Sequence, residues 1–208
     1  MKNYKKNLEL LSKNHVYSKE MEHDACGVGL IASTDGKKSR DIVEYGIEAL
    51  KAVWHRGAVD ADGKTGDGAG IHVEIPKDFF IEKIEVTGHD YDNSEICVGM
   101  IFLPKNDYSA QENCKTIVES ELTKNNFSIY GWRQVPVNPK VLGEKALLTM
   151  PEIIQVLFKS NDPNLLDKKL ERKIYETRKR IENKAFDASL NNFYICSISS
   201  KSIIYKGL

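Results

Sequence analysis

The sequence lacks a net charge, because 30 basic residues balance 30 acidic ones among its 208 residues. No surplus of one sign creates a field that would attract nucleic acid or an anionic membrane. The sequence also lacks an apolar run near the roughly 18 residues that span a bilayer, and its first residues lack the apolar segment of a secretory signal. We therefore predict a soluble, cytoplasmic protein of one domain with no nucleic-acid and no membrane partner.

Cysteine is scarce and dispersed, with single residues at Cys26, Cys97, Cys114 and Cys196. No Cys-x-x-Cys pair occurs, so the pattern suits neither a disulfide scaffold nor a structural zinc site. The four residues are expected to be reduced thiols. We predict that the last three are buried as small hydrophobic side chains, as free cysteines commonly are.

Cys26 differs because it lies between a polar leader and an apolar run spaced by glycines. Val28, Leu30, Ile31 and Ala32 predict a short strand that begins at the thiol. The 25 residues before Cys26 are mostly polar and charged, with one brief leucine cluster. They predict a removable leader.

Helical and strand patterns alternate irregularly along the rest of the chain, which favours an α+β domain. The last helix carries a basic run, but glutamates interrupt it, which is typical of a solvated face and not of a nucleic-acid site. A glycine- and aspartate-rich loop spans residues 57–70. Helices are predicted at 39–53, 77–84, 109–124 and 164–183, strands at 71–75, 96–103, 127–137 and 153–158, an irregular stretch at 136–151, and a final hairpin of strands at 192–199 and 201–205.

The loop contains Gly63-Lys64-Thr65, which resembles the end of a phosphate-binding P-loop. Gly57 lies six positions before Gly63, where the motif requires five. The loop also leads into an alternating strand, so no helix N-terminus follows to hold a phosphate. The dinucleotide fingerprint Gly-x-Gly-x-x-Gly is not matched either. When Gly66 and Gly68 are taken as its first two glycines, Ile71 occupies the position of the third. The loop therefore gives no support for nucleotide binding.

Two chemistries for Cys26 can be assembled from nearby polar residues. A metal site could combine it with His15, His23 and Asp24, but the spacing matches no known ligand pattern, and we predict no metal. A histidine could instead generate the thiolate. His55 and His72 are both candidates for that role, and the spacing favours neither.

A third chemistry needs no histidine. Cleavage between Ala25 and Cys26 would give the cysteine a free α-amino group with a pKa of about 7.7 to 8.0. Such an amine is a general base near neutral pH and can take the thiol proton of its own residue. In the uncut chain the same nitrogen is an amide, and the base is missing.

Four ordered motifs together resemble the amino-terminal glutaminase domain of glutamate synthase large subunits. The resemblance extends from about Glu22 to the end of the chain. The motifs are Asp-Ala-Cys-Gly-Val-Gly at 24–29, Trp-His-Arg-Gly-Ala at 54–58, Asp-Gly-Lys-Thr-Gly-Asp-Gly-Ala-Gly-Ile at 62–71 and Pro-Lys-Asp-Phe-Phe at 76–80.

The resemblance implies a class II glutamine amidotransferase with the N-terminal-nucleophile hydrolase fold, an αββα sandwich of antiparallel sheets between helical layers. Residues 1–25 would be a propeptide, and residues 26–208 the amino-terminal part of the amidotransferase domain. Cys26 would attack the side-chain amide of glutamine and form a γ-glutamyl thioester. Arg56 and Gly57 match the substrate-binding pair beside the nucleophile. By position alone, Arg56 could equally be a surface cation at a helix C-terminus.

The sequence departs from the family at its carboxyl end. The family's later arginine for the glutamine carboxylate and the Asn-Gly pair of its oxyanion hole have no match before Leu208. The fold is therefore expected to be incomplete at the C-terminal end, with open core faces.

Two hypotheses follow from the resemblance. In the first, the chain is the glutaminase part of a glutamate synthase, which takes glutamine and gives ammonia to a synthase domain or downstream chain. FMN and an iron-sulfur cluster would belong to the synthase part, and we expect no cofactor in this chain. In the second, the chain is a non-catalytic remnant or assembly module that needs a partner chain.

Overall fold

A computed structural model describes residues 27–207, together with residues 6, 7, 9, 10 and 13. This part of the chain forms two antiparallel sheets and five α-helices. The helices are α1 Arg40–Ala52, α2 Lys77–Val86, α3 Tyr108–Lys124, α4 Glu144–Thr149 and α5 Asp167–Asp187; the strands are β1 Ala69–Glu74, β2 Cys97–Leu103, β3 Phe127–Gln134, β4 Glu152–Ser160, β5 Tyr194–Ser199 and β6 Ser202–Gly207, and single 3-10 turns cover Trp54–Arg56 and Pro139–Val141.

The larger sheet has the strand order β3-β4-β2-β5, and the smaller sheet pairs β1 with β6. Strand β2 is apolar along its whole length because both of its faces are covered. Its side chains alternate between two cores: Cys97, Ile101 and Leu103 face the first, and Val98 and Met100 face the second.

The two cores define four layers. The first core lies between the larger sheet and helices α3 and α5, which contribute Val118 and Ile174. The second lies between the two sheets, where α2 contributes Phe80. On the far side of the smaller sheet, α1 lies on β1, and a Cβ at Gly46 would be 3.4 Å from Ile71 Cδ1. This arrangement confirms the predicted α+β sandwich.

Two strand predictions are wrong. Residues 27–33 form no regular structure, and the Val28 and Leu30 side chains are 90% and 89% exposed. An apolar run becomes a strand only where another strand supplies ladder hydrogen bonds, and no described strand pairs with these residues. The final hairpin is also wrong, since β5 pairs with β2 whereas β6 pairs with β1. The chain changes sheets at the corner between these two strands.

That corner is held by a carboxylate of the outer helix layer. Glu171 accepts hydrogen bonds from Ser199 Oγ at 3.0 Å and from both the backbone N–H and the hydroxyl of Ser200 at 2.7 Å. The Ile75 N–H donates to Lys201 O at 3.0 Å. These bonds turn β6 away from β5 and towards β1.

The buried cysteines match their prediction. Cys97, Cys114 and Cys196 are all buried and unpaired. Burial raises the pKa of Cys114 to about 11 and raises the pKa values of the other two thiols as well. Among the described residues, no helix combines the length and apolar character that crossing a membrane requires.

Candidate active site

Cys26 lies outside the described residues, as do His15, His23 and Asp24 of the alternative metal site. The described residue next to the thiol is Gly27. A Cβ placed on Gly27 would lie 3.3 Å from both Cβ and Cγ2 of Val53 and 3.7 Å from Cβ of Arg56. The residue that follows Cys26 therefore packs directly against the turn that carries Arg56.

The turn is built by the end of helix α1. The helix ends at Ala52, the Arg56 N–H donates to Val53 O at 2.9 Å, and the Gly57 N–H donates to Trp54 O at 3.0 Å. In such a tight turn, side chains three positions apart lie nearly in line along one side. Val53 and Arg56 are three positions apart and together form the surface on which Gly27 rests.

The Arg56 side chain is exposed, and within residues 27–207 no carboxylate lies at ion-pair distance from its guanidinium. A guanidinium carries five N–H donors in one plane and suits carboxylate or carbonyl oxygens. The last helical turn of α1 already has its own cation, Lys51. Within residues 27–207, Arg56 is thus an exposed cation beside Gly27 with no carboxylate partner.

The two candidate histidines make other contacts. His55 Nδ1 lies 3.2 Å from Ala52 O, to which it donates, and His72 Nε2 lies 2.7 Å from Ser202 Oγ. Neither ring is bonded to a carboxylate in the described part of the chain, although a carboxylate commonly orients the base of a nucleophile–histidine pair. The structure thus gives no support for a base at either histidine.

A separate cleft lies elsewhere on the molecule. It has a volume of about 470 Å³, and its lining includes His72, Lys38 and Lys77 but neither Arg56 nor Gly57. Both lysines are engaged in ion pairs with glutamates of the same cleft, at 2.6 Å and 3.0 Å. The charges of Lys38 and Lys77 are therefore already compensated within the cleft.

The glycine- and aspartate-rich loop begins directly after Arg56 and is folded. The Ala58 N–H donates to Asp67 Oδ2 at 2.7 Å, across the neck of the loop. An isolated bridge joins Val59 to Gly66, and the Asp60 N–H donates to Thr65 O at 2.8 Å. The loop is therefore a short hairpin-like structure that links Arg56 to strand β1.

Asp62 organises the tip of this loop. Its carboxylate accepts the N–H groups of Lys64 and Thr65 at 2.9 and 2.7 Å and the Thr65 hydroxyl at 2.5 Å. The Thr65 bonds hold the pKa of Asp62 well below its ordinary value of 3.8. This role of Asp62 was not predicted. An aspartate in a glycine-rich loop commonly forms such a turn, because its side chain can accept the backbone N–H two residues further on.

Comparison with known proteins identifies the family. Residues 26–208 match the class-II glutamine amidotransferases, so the chain belongs to that family and the family predicted from the motifs is confirmed.

Its relatives include much longer proteins. The chain is 52% identical to the large chain of glutamate synthase (NADPH) from Azospirillum brasilense, over 99% of this chain and 14% of that protein. It is 39% identical to the ferredoxin-dependent glutamate synthase of Pyropia yezoensis, over 96% of this chain and 13% of that protein. It is 40% identical to ferredoxin-dependent glutamate synthase 1 of Arabidopsis thaliana, over 90% and 12%. The chain thus spans at most 14% of the length of these relatives.

Proposed function

We propose that the chain is the glutaminase part of a glutamate synthase and releases ammonia from the side-chain amide of glutamine. The observation that carries this proposal is the packing of Gly27 against Val53 and Arg56. It places Gly27, the residue that follows Cys26 in the sequence, beside an exposed arginine that the described carboxylates leave unpaired.

The reaction begins with loss of residues 1–25. The freed amino group of Cys26 accepts the thiol proton, and the sulfur attacks the amide carbon of glutamine. The C–N bond then breaks, the proton goes to the leaving nitrogen, and ammonia departs from a γ-glutamyl thioester. Water attacks the thioester with the same amine as base, which releases glutamate and restores the thiol. The family match, which begins at residue 26, supports this boundary.

In this proposal Arg56 and Gly57 are substrate-binding residues. The guanidinium supplies charge-assisted hydrogen bonds to the substrate or to the cysteine end. Gly57 is exposed and has no side chain, so its backbone is accessible beside Arg56. The ammonia passes to a synthase domain or downstream chain that makes glutamate from 2-oxoglutarate. We assign FMN and the iron-sulfur cluster to that part and none to this chain.

Two measurements on the purified chain test the proposal: intact mass and ammonia release from glutamine. Both are made on the chain alone and with the downstream segment that the resemblance implies. We expect the mass of a chain that begins at Cys26, and ammonia release that depends on glutamine. Retention of Met1 together with no ammonia release under either condition would overturn the proposal.

Replacement of the nucleophile gives a second test. Cys26→Ala should abolish ammonia release and also covalent labelling by an electrophilic glutamine analogue. The other three thiols are buried and have raised pKa values, so they should stay unlabelled. Labelling that persists in the Cys26→Ala variant would show that another residue is the nucleophile.

One observation favours the second candidate, an assembly module that needs a partner chain. Val28, Leu30 and Trp54 are 90%, 89% and 75% exposed, and they lie within three residues in sequence of Gly27 or Val53, which form the contact. Large apolar side chains grouped on a surface are typical of binding sites. If this candidate is correct, the downstream segment should bind the chain equally well when Cys26 is replaced by alanine, with no ammonia released by either form.

A further inference from the structure

We infer that Gly143 and Lys145 are positioning residues for the Arg56–Gly57 site, which they hold through the 57–68 loop. The inference rests on the proposed function and extends it to a segment about 80 residues further along the chain.

Gly143 touches the tip of the loop through its backbone. A Cβ at Gly143 would overlap Asp62 Oδ2 and Thr65 Oγ1 and would lie 2.6 Å from Thr65 N. The backbone of Gly143 has φ −75° and ψ 168°, which any residue can adopt. Glycine is therefore required here by close approach and not by conformation.

One ion pair ties the same segment to the loop. Lys145 Nζ lies 2.6 Å from Asp60 Oδ2. Glu144, the first residue of α4, directly follows Gly143, so the start of the helix lies at the loop tip.

Burial does not explain why α4 lies against the loop. The helix has six residues, of which Ala146 alone is buried, and Leu148 is 86% exposed. A helix this short is unstable on its own. Contacts with the loop are its main polar attachment among the described residues, so the loop and α4 support one another.

The attachment continues to the candidate site. The Ala58 N–H is bound to Asp67, and Gly57 is bound to Trp54 O within the 54–56 turn. Only Gly57 separates the held part of the loop from Arg56. A displacement of the loop at Asp60 or Asp62 must therefore be absorbed at Gly57 and Arg56, the residues proposed to bind glutamine.

The first arm of the test measures hydrogen exchange of amides 58–66 in the whole chain, with no need for activity. Gly143→Ala should speed exchange at Lys64 and Thr65 by about tenfold, because the loop must move to admit the Cβ. Lys145→Met should speed it by about two- to fivefold and Lys145→Arg should restore it, since this ion pair is partly exposed. The matched control is Lys140→Met, an exposed lysine without an ion pair among the described residues. Unchanged exchange in Gly143→Ala would overturn the inference.

The second arm measures labelling of Cys26 by an electrophilic glutamine analogue and by iodoacetamide, which has no glutamine part. A positioning role requires that Gly143→Ala slow the first reaction about tenfold and the second by less than twofold. Equal effects on both reagents, or on neither, would contradict it. If the analogue does not label the wild-type chain even when the downstream segment is present, the proposed function is contradicted. The hydrogen-exchange measurement would still decide whether Gly143 and Lys145 hold the loop.

Discussion

Replacing Gly27 by alanine should slow the reaction of Cys26 with a glutamine analogue by about fivefold. The new Cβ would lie 3.3 Å from two carbons of Val53, whereas carbon atoms pack best at about 3.5 to 4.0 Å. Overpacking costs about 1 to 3 kcal/mol in a core. Val53 is only half-buried and can partly yield, so we take about 1 kcal/mol, which corresponds to about fivefold in rate.

The chain provides its own control for this change. Gly29 lies two residues further along, and a Cβ there would meet nothing within 4 Å. Gly29→Ala should therefore react at the wild-type rate. Adding Val53→Ala to Gly27→Ala removes the Cγ2 contact but keeps the Cβ contact, and should recover part of the lost rate. The assay is the time course of labelling by intact mass at several analogue concentrations, with urea unfolding to verify that global stability is unchanged.

Two results would refute the reasoning. If Gly27→Ala reacts as fast as Gly29→Ala, the contact with Val53 does not position the nucleophile. If the loss occurs but Val53→Ala fails to relieve it, the effect of Gly27→Ala does not arise from the contact with Cγ2 of Val53.

Two further predictions concern the thiols and the outer helix layer. At neutral pH, at most one thiol of the native chain should react with a disulfide reagent, because Cys97, Cys114 and Cys196 are buried and have raised pKa values. All four thiols should react after unfolding. Two or more reactive thiols in the native chain would contradict this prediction. Lys184 holds the pKa of the buried Glu121 below its ordinary value of 4.5. A carboxylate with a lowered folded-state pKa contributes stability above its unfolded-state pKa. The free energy of unfolding should therefore fall by about 1 kcal/mol as the pH falls from about 4.5 through the lower folded-state pKa of Glu121. Glu121→Gln should remove this loss in urea titrations, unlike the control Glu112→Gln, whose side chain is 70% exposed; equal pH profiles for the two variants would refute the assignment.

Periodicity and composition were sufficient to predict the helices and strands whose buried face is continuous. Strand β2 and helix α5 were both predicted, because a run covered on both faces and a stripe every three to four residues leave clear patterns. The bounds of α5 were shifted by three or four residues at its ends. The four ordered motifs, taken together, were sufficient to predict the family.

Prediction failed where the outcome depends on distant partners. Residues 28–32 have a strand-like composition but pair with no described strand. The β5–β6 corner depends on Glu171, which lies in a different layer. Helix α4 falls in a stretch that was predicted to be irregular, because it is held by contacts with the distant residues Asp60, Asp62 and Thr65, which no local pattern reports.

The pairing of β1 with β6 also bears on the order in which the chain can fold. Strand β1 follows the site loop directly, and its one ladder partner among the described residues is β6. His72 and Ser202, which touch across this pair, are 130 residues apart in sequence. Closing so long a loop costs conformational entropy before the strand pairing contributes any stability. Neighbouring strands such as β3 and β4 close much shorter loops. During synthesis, strand β1 cannot gain this partner until β6 has left the ribosome.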